Sequence, residues 1–452
     1  MRDQVAEALK GHTADYIELR LEERDSTVIR YRGKDLEEIN QRNSTGGSAR
    51  ALVKGGWGFV SFNETDNLRQ KVELAVEHAR LVGRNVSKLA EIDPVVDIVQ
   101  AVVKNDPTLV PLAERKALLD EYNELLGNTP KIHTSALMYG DSRRNVTFAN
   151  SIGSYIEQSK VDLVFRISAV ARDGGDVQQA MLSMGSSGDF SAIRNIHNKV
   201  EEIARKAGEL LSAPQAKAGE YTVILDPVLA GVFAHEAFGH LSESDFLYEN
   251  PQLQEIMVLG RRFGGKHLNI TDDPTIPNLR GSYKYDDEGT PTTKNYLIRN
   301  GVLEGRLHSR ETAAKMGEQP TGNARTIGYR HPPIVRMSNT FIEPGTASFE
   351  DLISDIKDGI YAKDWYGGTT AMEMFTFSAR EAYRIHNGKL GELLRPVVLS
   401  GNVFTTLENI DAIGSDLDMN QGGGCGKGEQ YPLPVSDGGP HTRIQRCLVG
   451  GA

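Results

Sequence analysis

A strand that leads directly into a helix, at residues 220–240, constrains the fold of this chain more than any other stretch. "EYTVILDP" predicts a buried strand that ends at Asp226 and Pro227. An Asp at the cap and a Pro in the first turn are typical of a helix start, so "PVLAGVFAHEAFGH" predicts a helix entered from that strand. This mostly apolar helix carries three polar residues: His235, Glu236 and His240.

The spacing of those residues differs from that of the common zinc-protease helix. That helix reads H-E-x-x-H, whereas this chain has H-E-x-x-x-H, one residue longer. On a regular helix His235 and His240 would point about 140° apart, too far apart to share a zinc ion about 2 Å from each nitrogen. We therefore expect either a one-residue π-bulge or a helix that ends before His240. Gly239 favours both because it tolerates non-helical dihedral angles.

A catalytic zinc site needs a third protein ligand and an open position for water. The sequence offers Glu243, Asp245 and Cys425. Glu243 follows His240 too closely to reach the same metal without strain, and Asp245 is better suited to orient an imidazole. Cys425, in "GGGCGKGEQ", is the chemical favourite because the neighbouring glycines let the backbone pack closely. The alternative is that Cys425 is a plain thiol in a surface loop. Glu236 would be the general base.

Length, charge and cysteine content narrow the class of protein. A chain of 452 residues predicts two or three domains. The net charge of −10, without a dense Lys/Arg run, argues against a nucleic-acid surface. The amino terminus does not resemble a signal peptide, and no apolar run approaches the roughly 20 residues of a membrane span. Two cysteines fit a reducing compartment. We expect a cytoplasmic protein.

The pattern of elements changes near residue 215. Before it, strand-like stretches alternate with helices, one of which carries apolar residues at three- and four-residue steps from Leu68 to Val82. After it the chain is mostly β, with Asn300-Gly301 and Asn387-Gly388 as hairpin turns. The sequence predicts an amino-terminal domain of residues 1–215 and a carboxy-terminal domain of residues 216–452.

Two segments together resemble the TldD/PmbA family of zinc metalloproteases. They are "LAGVFAHEAFGHLSESDF" and "GGGCGKGEQ…PVSDGGP", with weaker matches in "GGWGFVSFN", "GNAR" and "FTFSAREAYRIHNGK". The resemblance implies that His235, His240 and Cys425 bind Zn²⁺ and that Glu236 is the catalytic base. It also implies an α+β fold, in which an amino-terminal α/β domain has helices on a mixed sheet. The carboxy-terminal domain would be dominated by curved antiparallel sheet carrying the metal-binding helix. One departure is Glu-Gln after "CGKG", where the family usually has Gly-Gln.

The resemblance also carries expectations about substrate and partners. The family contains catalytic TldD-type subunits and PmbA-type (TldE) subunits without the metal motif, and this chain resembles the catalytic type. Its members cleave small or unfolded peptides in a chamber enclosed by a dimer. We therefore expect a peptide substrate and a homodimer or a heterodimer with a PmbA/TldE-type subunit, with no nucleic acid or membrane partner. Arg325, in "GNAR", is a candidate for binding the peptide.

Two other interpretations compete with this one. Dipeptidyl-peptidase III also has a longer motif, H-E-x-x-G-H, but takes its third ligand from a downstream Glu-rich helix, and the comparable stretch here, "EEIARK", lies upstream. The other interpretation is a non-catalytic binding or partner subunit with a structural metal. Such a site would need a fourth protein ligand, for which Glu243 or Asp245 is available, and would have no use for a base at Glu236.

Overall fold

The computed structural model of the protein describes residues 1–83, 87–371 and 373–451. The described residues before 215 form seven strands and four α-helices. The strands are β1 Tyr16–Arg32, β2 Asp35–Val53, β3 Gly56–Phe62, β4 Val96–Val99, β5 Ile132–Asn150, β6 Tyr155–Asp173 and β7 Asp176–Ser186. The helices are α1 Arg2–Leu9, α2 Leu68–Val82, α3 Leu112–Gly127 and α4 His197–Leu210.

These strands form one mixed sheet with the order β3-β2-β1-β5-β6-β4, and β7 also pairs with β6. All pairs are antiparallel except β4 with β6. Helices cover the two ends of the sheet and leave its centre uncovered by helix. At one end α2 packs on Ile17 and Leu19, and at the other α3 and α4 pack on Tyr139 and Phe165. The middle of the long strands β1, β5 and β6 carries charged residues instead, and the rest of the chain packs there.

Residues 211–218 connect α4 to the second half of the chain. Its strands are β8 Gly219–Leu225, β9 Ile270–Asp272, β10 Asn295–Arg299, β11 Val302–Leu303, β12 Ala324–Arg325, β13 Ile334–Val335, β14 Asn339–Ile342, β15 Asp358–Ala371, β16 Met374–His386, β17 Lys389–Leu394, β18 Val397–Asn402, β19 Ile410–Ile413, β20 Asp418–Asn420, β21 Cys425–Lys427, β22 Gln430–Leu433, β23 Ser436–Gly439 and β24 Thr442–Gly451. Its helices are α5 Pro227–Phe233, α6 Ser244–Tyr248, α7 Pro251–Ile256, α8 Arg310–Met316, α9 Phe349–Ile353 and α10 Val403–Glu408.

The largest sheet of this half has the order β15-β8-β24-β18-β16-β17, and β15 also pairs with β16. That extra pairing closes five strands into a strongly curved ring, which removes sheet edges as in a barrel. A second sheet runs β11-β10-β9-β14-β23-β20. Helix α5 contacts β15 of the first sheet and β20 and β23 of the second. The prediction of an α+β fold, with a mixed amino-terminal sheet and a curved, mainly antiparallel second half, is confirmed.

The predictions of one amphipathic helix and two hairpin turns are also confirmed. The amphipathic segment forms α2, which ends at Val82. Asn300-Gly301 joins β10 to β11 and Asn387-Gly388 joins β16 to β17, and all four residues have positive φ, as this hairpin turn requires. Among the described residues, no helix is both long and apolar enough to cross a membrane.

Candidate metal centre

The predicted strand and helix form as β8 and α5, and their junction is held by Asp226. This buried carboxylate accepts hydrogen bonds from the backbone N–H groups of Leu229 (2.9 Å) and Asp364 (3.0 Å). It therefore caps α5 and also ties the helix start to strand β15. Burial raises the pKa of Asp226 to about 7. At Gly231, a Cβ atom would lie 2.3 Å from the backbone N of Gly438, so glycine is needed for α5 to pack on β23.

The extra residue between the histidines is absorbed by a π-helical turn. Residues Ala234–Gly239 follow α5 without a break, and the backbone N–H of His240 donates to the carbonyl of His235, five residues earlier. A π turn holds more residues than an α turn, so the two imidazoles return to the same side. Their ring centroids are 5.2 Å apart. Of the two alternatives, the π-bulge is confirmed.

Gly239 serves this turn through its size and not through unusual dihedral angles. Its φ is −59°, which is ordinary helical backbone. A Cβ atom there would lie 2.1 Å from Sδ of Met337. The expectation that the glycine supplies non-helical dihedrals is therefore wrong: any residue could adopt this backbone, but a Cβ atom there would require the side chain of Met337 to move.

Cys425 lies opposite the histidines on strand β21, where it pairs with Leu433 of β22. Its side chain is buried, so the alternative of a thiol in a surface loop is wrong. The Sγ atom is 3.5 Å from Nε2 of His240. One ligand atom from each of His235, His240 and Cys425 lies within 4.8 Å of the other two. The structure thus brings together three residues from segments separated by 185 positions.

This donor set fits a zinc ion. In a tetrahedral zinc site a nitrogen and a sulfur ligand lie about 3.5 Å apart, given bond lengths of about 2.0 and 2.3 Å. Nδ1 of His235 is buried and has no hydrogen-bond partner among the described residues. Burial alone would raise the pKa of Cys425, but the charges and hydrogen bonds of His235 and His240 outweigh it and hold that pKa well below its usual value. The thiolate is the form that binds a metal.

A network of alternating charges holds His240 in place. We call the residues His240, Glu243, Lys427 and Asp245 the charge network. Glu243 Oε2 lies 3.0 Å from Nδ1 of His240 and 3.0 Å from Nζ of Lys427. Lys427 also donates to Asp245 (2.5 Å) and to the carbonyl of Val335 (2.9 Å). An acceptor at Nδ1 keeps the hydrogen there and leaves Nε2 free to bind a metal.

Within this network Glu243 contacts the imidazole, and Asp245 does not. Asp245 bonds to Lys427 and to the backbone N–H of Val335, so the prediction that it orients an imidazole is corrected. Burial opposes the charge on Glu243, but Lys427 and then His240 outweigh it and lower its pKa to about 2. Glu243 follows His240 by three residues, which is too close for both to bind one metal but allows Glu243 to hydrogen-bond to the imidazole of His240. Lys427 itself was not predicted, although it lies two residues after Cys425.

Glu236 lies at an opening beside the three candidate ligands. Its side chain is 29 % exposed, and Oε2 is 3.9 Å from Nε2 of His240. A cavity of about 250 Å³ runs past it, lined by Glu236, His240, Leu241, Glu243, Phe246, Thr370, Gly426 and Lys427. A carboxylate on the open side of a metal site is in the right place to take a proton from water.

A further carboxylate near the ligands, Asp437, was not predicted. It is buried on β23 and accepts a hydrogen bond from Asn420 (2.9 Å). Burial raises its pKa to about 6, against the opposing charge of His235. Its position in "PVSDGGP", the segment quoted with Cys425, was the one available signal.

Arg325, the candidate for peptide binding, is buried. Its guanidinium donates to the carbonyl oxygens of Met337 (2.5 Å) and Pro434 (2.8 Å) and lies over the ring of Tyr283. Met337 contacts the π turn and Pro434 follows the strand paired with Cys425. Arg325 therefore supports two segments of the metal centre, and its role in binding peptide stays a prediction.

Comparisons with known proteins agree with this geometry. Three domain descriptions match: PmbA/TldA metallopeptidase domain 1 over residues 17–79, the central domain over residues 105–213 and the C-terminal domain over residues 218–451. A protein named metalloprotease from Synechocystis sp. is 47 % identical over 440 residues, 97 % of this chain and 95 % of that protein. A zinc metalloprotease TldD homolog from Saccharolobus solfataricus is 31 % identical over 423 residues, 92 % of this chain and 93 % of that protein.

Two solved structures share the fold. One, described as a modulator of a DNA gyrase from Thermotoga maritima, has a TM-score of 0.81 at 20 % identity and covers 99 % of both chains. The other, TldE from Thermococcus kodakarensis, has a TM-score of 0.78 at 19 % identity and covers 100 % of both chains. At this level of identity the similarity concerns the fold alone.

Proposed function

The chain belongs to the PmbA/TldD metallopeptidase family, and we propose that it is a zinc-dependent peptidase of the TldD type. The observation that carries the proposal is the π turn. It directs His235 and His240 toward Cys425 and leaves Glu236 on the adjoining cavity. The mixed His/Cys donor set suits zinc, a borderline-soft ion.

Each residue of the site has a definite part in the proposed reaction. When bound, zinc supplies Lewis acidity that lowers the pKa of a water molecule and polarises a peptide carbonyl. Glu236 accepts a proton from the attacking water and delivers it to the leaving amine. Glu243 fixes the orientation of His240 through Nδ1, and Lys427 keeps Glu243 ionised. Small or unfolded peptides are the proposed substrates, as the family resemblance implies, and the cavity of about 250 Å³ beside Glu236 has room for a short stretch of peptide.

The non-catalytic alternative is less well supported. A structural zinc site is closed by a fourth protein ligand. The two residues predicted to be available for that role, Glu243 and Asp245, are both bonded to Lys427. Glu236 faces the cavity and serves no evident structural purpose there, which favours catalysis.

We also propose the domain division and the assembly. The change from one sheet to the next between α4 and β8 supports a boundary near residue 215, with domains at 1–215 and 216–452. A dimer, either of this chain alone or with a TldE-type subunit, is supported by the structural likeness to TldE.

Replacement of Glu236 by Gln tests the proposed activity. We expect the Glu236→Gln variant to bind zinc like the wild type but to cleave a pool of internally quenched, unstructured peptides at least about 100-fold more slowly. Glu249→Gln, an exposed residue nearby, is the matched control and should keep full activity. Full activity in Glu236→Gln would refute its role as the base. A zinc-loaded wild type that cleaves none of the peptides would favour the non-catalytic alternative.

A further inference from the structure

Three cationic residues lie side by side across the amino-terminal sheet. Arg24 of β1 pairs with Arg144 of β5, and Arg144 pairs with Lys160 of β6. Like charges directly opposite each other on neighbouring strands destabilise a sheet. A row of three therefore calls for compensation by negative charge.

The row faces a small cavity between the two halves of the chain. The cavity has a volume of about 80 Å³, and Arg325 reaches it from the carboxy-terminal half. That side of the wall also includes Tyr283, Asp286, Asp287, Pro432 and Pro434. We call Arg24, Arg144, Lys160 and Arg325 the cation cluster.

The protein itself satisfies the cation cluster only in part. Among the described residues, Arg144 is paired with Glu22 at 2.9 Å, whereas neither Arg24 nor Lys160 has a carboxylate oxygen within 4.0 Å. Arg24 donates to Ser142 at 3.4 Å, and Lys160 donates to the carbonyl of Arg280 at 2.7 Å. The Nε atoms of Arg24 and Arg144 are buried without a hydrogen-bond partner. Buried donors of this kind are costly unless something accepts from them.

The carboxylates that line the same cavity are committed to other groups. Asp162 receives two hydrogen bonds from Arg280, at 2.7 and 2.9 Å. Asp287 is paired with Arg20 and also accepts from a backbone N–H. Asp286 accepts from three backbone N–H groups, those of Glu288, Thr290 and Ala324. The cavity is therefore left with more positive than negative charge.

We propose that this cavity binds a phosphate ion, held by Arg24, Arg144 and Lys160 on one side and Arg325 on the other. The volume suits a small anion and not a larger ligand. Guanidinium groups bind tetrahedral oxyanions through paired N–H donors. Several cations around one small cavity match the double charge of phosphate better than the single charge of a carboxylate.

The state of Lys160 agrees with an anion site. Burial, followed by the charge of Arg325, lowers the pKa of Lys160 to about 7. A bound anion would favour the charged ammonium. The same anion would also join β1, β5 and β6 to the segment after β22, and Arg325 already bonds to that segment at Pro434. Bound phosphate would therefore stabilise the contact between the two halves of the chain.

Calorimetric titration of the zinc-loaded, full-length protein with inorganic phosphate tests the proposal. In phosphate-free buffer we expect one site with a Kd below about 1 mM. The variants Arg24→Gln and Lys160→Gln should each bind at least about tenfold more weakly, since each removes a charged donor. Arg42→Gln, an exposed arginine on β2, is the matched control and should bind like the wild type. Zinc content and melting temperature verify that each variant is folded.

A second measurement uses only the wild-type protein, so it does not depend on how well a variant folds. The melting temperature of the wild type should rise in phosphate and not in acetate at equal ionic strength. Absence of phosphate binding up to about 10 mM would overturn the proposal, as would equal affinities in wild type, Arg24→Gln and Lys160→Gln. An equal rise of the melting temperature in acetate would also overturn it, because the cavity would then bind anions without preference for phosphate.

Discussion

The charge network at the metal centre and the cation cluster between the halves are both partly buried groups of charged side chains, but they are built differently. In the network Lys427 lies between the carboxylates of Glu243 and Asp245, and Glu243 also bonds to the ring of His240. In the cluster Arg24, Arg144 and Lys160 repeat one sign across three strands.

This difference indicates different roles: the charge network supports a residue of the metal centre, and the cation cluster is suited to bind an anion. In the charge network opposite charges balance one another within the protein, so it can hold His240 in one orientation whether or not a ligand is present. A cluster of like charges lacks the opposite charge that would balance it, and its free energy falls when an anion from solution binds. Changes to the network should therefore harm the protein, whereas changes to Arg24 or Lys160 should harm only the binding of an anion.

The largest effect is expected from Glu243→Ala. The variant leaves Lys427 buried with one partner fewer and His240 without its acceptor at Nδ1. We expect the zinc affinity, measured by competition with a chelator, to fall about 10- to 100-fold. We expect the free energy of unfolding, from urea denaturation, to fall by about 3 kcal/mol. Glu249→Ala is the exposed control. An unchanged zinc affinity in Glu243→Ala would mean that the network does not position the ligand.

The same substitution, Lys to Met, in the charge network and in the cation cluster compares the two groups most directly. Lys427→Met removes the cation between two carboxylates and should lower the free energy of unfolding by about 2 kcal/mol. Lys160→Met removes one of several like charges. In phosphate-free buffer it should leave the free energy unchanged or raise it by up to about 1 kcal/mol. An equal loss of the free energy of unfolding in the two variants would show that the charge network and the cation cluster do not differ in this way.

A smaller effect is expected in the pH dependence of the free energy of unfolding. The pKa of Lys160 is about 7 in the folded protein, below the usual value for lysine, because of burial and then the charge of Arg325. Between that pKa and the ordinary one, the unfolded chain binds more protons than the folded chain, so stability from this group rises with pH. Other facing charges are Asp162, Arg144 and Arg280. From pH 7 to 9.5 we expect wild type to gain at least about 1 kcal/mol relative to Lys160→Met, in phosphate-free buffer.

The contrast also shows what a sequence alone can reveal. The strand-to-helix unit, the π-bulge and the hairpin turns follow from neighbouring residues, and each could be predicted. The candidate ligand Cys425 was found because glycines around a cysteine are a local signal. The role of Glu243 was misjudged, since distance along the chain does not say whether a carboxylate reaches a metal or the ring beside it.

The cation cluster left no comparable signal in the sequence. Arg24, Arg144 and Lys160 belong to three separate strands, and only the register of those strands places them in one row. A shift of one residue in any strand would move its cation to the other face of the sheet. Likewise, Asp437 comes near His235 only because β23 packs against α5.

The zinc content of the purified protein, measured by elemental analysis after exposure to a chelator, tests the central claim most directly. Wild type should retain about one zinc per chain, and Cys425→Ser should lose it. Cys447→Ser is the matched control: Cys447 is also buried, and burial raises its pKa to about 12, so we expect it to remain a neutral thiol and zinc to be retained. Equal zinc in Cys425→Ser and wild type would contradict the assignment of His235, His240 and Cys425 to one metal site.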